Sequence, residues 1–442
     1  MPVRLIECLS ATEEMADLFS DQSILEAMLR FEIALARAQV RLGLIPARAA
    51  ESIAAAATAS AFDAADLARR ARRSASPAIP FIDALTARVR EISEADAAYV
   101  HWGATSQDLI DTAFILILAR ARDALARDHT RLTRTLHTLS EHHADTVMLA
   151  RTLLQPAQPT TFGYKIAGYY GSLRRSWRQL LSACAGAIQL EFGGAAGTLA
   201  AYGTTGPALA VELGRELALL VPAAPWHVHR DQLAAVVTSC GIYAGCLGKM
   251  ANDTTLLMQA EVGEASEPAG GSSAMPHKRN PAGSVVALAS VARVPGLVGT
   301  YLRLMVHEHE RATGTWQAEW QTIAEVLTAV GSALAAIADA FAHLDVHPDR
   351  MRANLAQTRG TVLSERFAVA LATTMGRTDA QALVAHAARE ATESGRSMGE
   401  VIGATLAAAG VIAPDNMAAL GDPTTYIGAA EVFRRRLLED AD

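Results

Sequence analysis

Apolar residues recur at three- and four-residue intervals along most of this chain, the rhythm of helices packed on one side. The run "SDQSILEAMLRFEIALARAQVRLGLIP" carries it clearly: Ser20 or Asp21 is placed to cap its start, and Gly43 and Pro46 bound its end. A second helix is expected from about Asp108 to His143, a third from Pro159 toward Leu190, and a fourth from about Asp231 to Glu264. Pro281 opens a fifth that reaches Gly296 or beyond, and short helices separated by Gly and Pro follow Asp349. No stretch sustains strand alternation and no internal repeat is visible, so the expected fold is all-α. Helices of about 30 residues are long for a globular domain. Their polar faces are thin, and such helices are buried by other helices. An extended bundle completed by further copies of the chain satisfies this. Three parts are expected: an N-terminal helical domain over 1–110, a central long-helix bundle over 111–348 interrupted by an irregular segment at 269–283, and a C-terminal helical domain over 349–442.

Composition narrows the class. Of 442 residues, 51% are hydrophobic and only 5% aromatic, which favours close-packed helices over β-sandwiches. A net charge of -7 argues against nucleic acid as a main partner. Cys8, Cys184, Cys240 and Cys246 show no CxxC spacing, as expected for reduced thiols in a cytoplasmic protein. Acidic residues precede any apolar run long enough for a signal peptide. The most apolar stretch, Leu233 to Leu247, is too short to span a bilayer, so a buried core helix is expected there and no membrane.

Polar islands interrupt the pattern. In "HWGATSQDLIDT", Thr105, Ser106 and Gln107 stand just before a helix, where side chains and first-turn N–H groups can hold a carboxylate. Simple capping by Ser106 or Asp108 explains the same residues. "RTLLQPAQPTTFG", with Gln155 and Thr160, reads as a turn into a helix. "EFGGAAGTLAAYGTTG" lacks the strand context of a dinucleotide site, leaving tight turns or close backbone approach as the use of its glycines. "AGGSSAMPHKRNPAG", Ala269 to Gly283, combines mobility, hydroxyls, the cations Lys278 and Arg279, and the amide of Asn280. It is either a solvated charged loop or a site where cations lower a hydroxyl's pKa and stabilise a developing dianion. Arg311, in "HEHERATG", suits either bidentate carboxylate binding or a structural ion pair. His101 and His309 lie near these motifs in supporting positions, and His227, His229 and Arg230 form a further cluster that orders a turn or more. No His/Asp/Glu set shows metal-ligand spacing.

"GSSAMPHKRNP" resembles the signature of the fumarase/aspartase superfamily, "GATSQD" its first active-site region and "RTLLQPAQPTTFG" its second, in matching order across nearly the whole chain. The resemblance implies a three-domain helical homotetramer with a twenty-helix core and active sites each assembled from three subunits. It implies β-elimination and its reverse on a small polycarboxylate through an aci-carboxylate carbanion, with neither metal nor organic cofactor. Carried over by motif, Ser272 is the base, and Lys278 and Asn280 hold the carboxylate that gains charge. Thr105, Ser106, Gln107, Gln155, Thr160, Ser273, Met275 and Arg311 complete the substrate-binding set.

Other segments separate branches of the superfamily. "YVHWGATSQDLIDT", "PWHVHRDQL", "LLMQAEVGEASEP" and "EHERATGTWQAEW" resemble the bacterial cycloisomerases that act on 3-carboxy-cis,cis-muconate. Trp320 stands where adenylosuccinate lyases carry an Arg for the nucleotide phosphate. Most superfamily lyases place a His and a Glu at the positions of Leu153 and Val285, as an acid pair for the leaving group. A carboxylate leaving group needs no such acid, since its conjugate acid has a pKa of about 4. Lactone chemistry is therefore the expected function. Lyases expelling another stable anion, such as nitrite from nitrosuccinate, fit the same logic. An adenylosuccinate-lyase-like enzyme or a non-catalytic, crystallin-like protein is the weaker reading. Two departures from the cycloisomerase pattern stand out: Leu153 replaces a Trp, and the segment from Glu267 to Gly271 is shorter.

Overall fold

The computed structural model describes residues 5–268, 275, 278–414 and 416–439. Five long helices dominate it: Ser106–His142, Phe162–Ala187, Asp231–Leu257, Ala282–Leu304 and Thr315–Ala342. The first four fall where the apolar rhythm places them. The fifth, of 28 residues, was not anticipated, although Trp316, Ile323, Val326, Val330 and Ile337 repeat at helical spacing along it and are buried. Ala282–Leu304 runs through Pro295 and Gly296, where an end was conceivable. The Asp21–Arg41 helix begins as expected, with Ser20 Oγ accepting from the Ser23 backbone N–H at 3.2 Å. It gives way to Gly43, whose φ of +69° suits glycine.

Two glycines set how closely the long helices approach. A Cβ on Gly241 would stand 3.0 Å from Val298, and one on Gly248 3.1 Å from Val291. Asp231–Leu257 and Ala282–Leu304 thus meet valine against glycine at seven-residue spacing.

The all-α expectation holds, with two short strand pairs added that the absence of sustained alternation did not signal. Val147–Thr152 pairs antiparallel with Gln155–Thr161, and a second small pair joins Ala265–Ser266 to Asp345–Val346. The hairpin hides in the sequence because Pro156 and Pro159 lie within its second strand, which is tolerable only in a sheet with free edges. Its two-residue turn is Leu153–Leu154, at φ +51° and +64°. Turns with both central residues at positive φ normally take Asn-Gly, so two leucines give no turn signal.

By internal contacts the chain forms two compact units, each assembled from three separated segments. The first comprises Met1–His129, Arg175–Gly248 and Val286–Ala336. Its core includes Phe31, Leu35, Phe81, Tyr243 and Tyr301. The second comprises Thr130–Arg174, Lys249–Val285 and Ile337–Asp442, and contains a C-terminal cluster around Phe367, Leu371, Met398 and Ile402. The apolar run at Leu233–Leu247 is part of a longer helix. Asp231–Leu257, Ala282–Leu304 and Thr315–Ala342 are each long and apolar enough to cross a membrane by length and composition alone, and they are part of this fold.

Candidate active site

In the first unit the Ser106–His142 helix begins at Thr105, and Asp108 organises that start. Asp108 Oδ2 accepts from Thr105 N and Gly194 N, both at 3.0 Å, and Oδ1 accepts from Gly193 N at 2.9 Å and His227 Nε2 at 2.8 Å. The expected capping by Asp108 is present, as the third helical residue reaching back to the cap. Because the carboxylate does this work, the hydroxyls of Thr105 and Ser106 have no hydrogen-bond partner among the described residues, and both residues are only half-buried.

Gln107 differs: it is 1% exposed and its amide is engaged. Nε2 donates to Asp111 Oδ2 at 3.0 Å and to His227 O at 2.7 Å, while Oε1 accepts from Arg311 Nη1 at 3.2 Å. Arg311 also donates to Ala195 O at 2.9 Å. Its guanidinium has no carboxylate partner among the described residues, so the structural ion pair considered from sequence does not form there. His101, at φ +53°, faces Glu32: its Nδ1 lies 2.6 Å from Glu32 Oε1, and its buried Nε2 has no hydrogen-bond partner among the described residues. Burial lowers the His101 pKa, but the carboxylates of Glu32 and Asp108 outweigh it and leave the pKa raised. His309 is exposed, also at positive φ, and has no side-chain partner among the described residues.

In the second unit, Gln155 is exposed beside the hairpin turn, whose Leu153 is 97% exposed. Thr160 lines a cavity of about 940 Å³ with Leu153, Leu154, Lys165 and Asp253. Asp253 accepts from Lys165 Nζ at 2.8 Å, Tyr169 Oη at 2.6 Å and Lys249 Nζ at 2.5 Å. Burial pushes the Asp253 pKa up, but the lysines and the phenol hold it below the usual carboxylate range. Glu267, which precedes the signature segment in sequence, accepts from Gly283 N at 2.7 Å and Ser284 N at 3.0 Å, at the start of Ala282–Leu304. Lys278 is exposed, and neither its ammonium nor the Asn280 amide has a partner among the described residues. Arg279 instead pairs with Asp345 at 3.1 Å. Met275 is exposed, while Ser272 and Ser273 lie outside the described residues.

Residues 7–296 match a protein-family model described as "Lyase", and residues 360–437 one described as "Adenylosuccinate lyase C-terminus". A 3-carboxy-cis,cis-muconate cycloisomerase of Bradyrhizobium diazoefficiens is 43% identical over 96% of this chain and 94% of its own length. The chain belongs to the lyase family of the fumarase/aspartase superfamily. A nitrosuccinate lyase of Streptomyces davaonensis is 40% identical over 93% of this chain and 89% of its own. The crystal structure of the 3-carboxy-cis,cis-muconate lactonizing enzyme from Pseudomonas putida superposes with a TM-score of 0.93 at 38% identity, covering 98% of both chains.

The lyase chain also holds buried chemistry that short-range spacing did not reveal. Arg230, 2% exposed, bridges Asp111 (Nη1 to Oδ2, 2.7 Å) and Glu319 (Nη2 to Oε2, 2.6 Å). Trp316 Nε1 donates to Asp111 at 2.9 Å, and His307 Nε2 lies 3.0 Å from Glu319. Asp111, Arg230, Trp316 and Glu319 lie in three separated segments singled out from the sequence, "HWGATSQDLIDT", "PWHVHRDQL" and "EHERATGTWQAEW", whose meeting no spacing reveals. Asp108, Glu191 and His227 bring three ligand atoms within 4.8 Å of one another, a spacing that a metal ion can use. Asp108 already accepts four hydrogen bonds, however, and a cation among them would face those N–H dipoles.

Proposed function

We propose that this lyase-family enzyme interconverts 3-carboxy-cis,cis-muconate and 4-carboxymuconolactone, acting as a soluble cytoplasmic enzyme without a cofactor. The observation that carries the reading is the pair Leu153 and Val285: apolar, 97% and 50% exposed, at the positions where the superfamily places its leaving-group acid. A reaction that breaks or makes a bond to a carboxylate oxygen has no use for that acid. In the lactonising direction a substrate carboxylate oxygen adds to the conjugated double bond. The carbanion that results is delocalised into a neighbouring carboxylate and takes up a proton by way of Ser272. Lys278 and Asn280 hold the carboxylate that gains charge, and the exposed Lys278 ammonium has no partner among the described residues. Thr105 and Ser106 offer unengaged hydroxyls to another substrate carboxylate, with Arg311 beside Gln107. Gln155, Thr160, Ser273 and Met275 shape the rest. The enzyme works as a homotetramer whose sites are shared between copies: only 22% of the apolar window of Ala282–Leu304 is buried within the chain, which supports cover by further copies.

The test is ultraviolet absorbance on mixing with 3-carboxy-cis,cis-muconate. Rapid loss of the conjugated-diene band is expected, and a flat trace refutes the reading. A second reading, nitrite release from nitrosuccinate, is favoured by one observation: Leu153 lacks the aromatic wall of the cycloisomerases. A fumarate signal with nitrosuccinate and a flat muconate trace would select it. For either substrate Ser272→Ala should lower turnover at least about a thousandfold, a typical range for loss of a general base, with the oligomer intact by size-exclusion chromatography.

A further inference from the structure

We propose that the buried Asp108–His227–Glu191 cluster is a positioning device for the Arg311 side of the site, and that it works only while Glu191 carries a proton. The inference rests on the reading of Thr105, Ser106 and Arg311 as substrate-binding groups.

The geometry forms a chain of contacts. Asp108 ties the Thr105 turn to the Gly193–Gly194 turn, and the carbonyls of Gly194 and Ala195 hold Arg311. His227 is locked against the same turn, because a Cβ on Gly193 would come within 2.8 Å of its Cε1. Its Nε2 has one proton to give and two carboxylates in reach: Asp108 Oδ1 at 2.8 Å and Glu191 Oε1 at 3.2 Å. Asp108 takes it. Glu191 Oε1 is left buried without a hydrogen-bond partner among the described residues, while Oε2 accepts from Trp226 N at 2.8 Å.

An ionised Glu191 would place an unpaired carboxylate oxygen in a dry site beside Asp108 and Asp111. Arg230, the nearby cation, already bridges Asp111 and Glu319, and His307 also faces Glu319. The ionised group would therefore compete for the His227 proton, turn the ring from Asp108 and loosen both turns. With a proton on Oε1, Glu191 no longer competes for the His227 N–H, and its O–H has the ionised Asp108 as acceptor, since the ligand atoms of the three side chains lie within 4.8 Å of one another. Burial, then Asp111 and Asp108, push the Glu191 pKa well above its ordinary value, against the Trp226 N–H and Arg230.

The experiment compares wild type, Glu191→Ala and Glu191→Gln, the last being a permanently neutral donor. Difference infrared spectra of wild type against Glu191→Gln should show the carbonyl stretch of a protonated carboxylic acid at neutral pH. Wild-type Tm should fall relative to Glu191→Gln as pH rises, since a carboxyl whose folded pKa is raised loses its stabilising contribution on ionising. With the muconate, Glu191→Ala should raise KM by about tenfold, the scale of one lost hydrogen bond at a charged site. Glu191→Gln should recover most of that loss, and the wild-type rise of KM with pH should be absent from it. The proposal is overturned by a missing carboxylic-acid band, by one bound metal per chain in elemental analysis, or by Glu191→Gln being as impaired as Glu191→Ala. Should no muconate turnover occur, the substrate reading fails alone, because the infrared and Tm comparisons still decide the protonation.

Discussion

Gln107 and Arg311 show how a residue identified by motif acquires its task from its neighbours. The motif marks Gln107 as a substrate contact, yet its amide is buried and fully hydrogen-bonded, and one of its partners is the guanidinium of Arg311. Gln107 therefore orients Arg311, whose fork has two further carbonyl contacts at Gly194 and Ala195. Arg311→Lys keeps the charge but loses the planar fork. It should lower kcat/KM by about tenfold to a hundredfold, matching loss of a charge-assisted hydrogen bond, and steady-state kinetics would show it. Arg230 is the opposite case, a charge with no route to solvent. Arg230→Met removes the guanidinium that bridges Asp111 and Glu319, leaving Gln107 and Trp316 on the one and His307 on the other, and should cost about 3–5 kcal/mol, the usual penalty for breaking a buried pair. Urea denaturation measures this directly.

At the level of elements, four of the five long helices were legible and the hairpin was not, for a physical reason. A long helix writes itself into sequence through many residues, and Ser20, Gly43 and the 3.6-residue rhythm agree. The hairpin is short, contains Pro156 and Pro159, and turns on two residues that disfavour its geometry. The candidate site divides in the same way: the Thr105–Gln107, Gln155 and Lys278 regions lie in contiguous motifs, whereas Asp108, Glu191 and His227 meet only after folding. Leu153 and Leu154 make a further prediction. An L-residue in the left-handed region costs about 1–2 kcal/mol, and these two are exposed as well. Replacing the pair with Asn-Gly should stabilise the chain by about 1–3 kcal/mol in thermal unfolding. If the strained leucines wall a substrate site, as their place in the second motif region supports, the same variant loses activity while gaining stability.

For the whole molecule, the decisive surface is the apolar one that a single chain leaves open. Leu302 is 47% exposed on Ala282–Leu304, and Ile242 is 49% exposed on Asp231–Leu257, the helix that packs against it through Gly241 and Gly248. Exposed apolar area on helices this hydrophobic is stabilised by burial at about 25 cal/mol per Å², so copies of the chain gain by covering it for each other. Leu302→Arg would put an unpaired charge into that cover, at a cost of several kcal/mol per contact. Sedimentation velocity should then show the wild type as a tetramer and the variant as smaller species at micromolar concentration. The proposed sharing of sites between copies makes a stronger demand: the variant should lose turnover although Ser272, Lys278 and Arg311 are untouched, and regain part of it as protein concentration rises. A dissociated variant with full activity per chain would show that each chain builds its site alone.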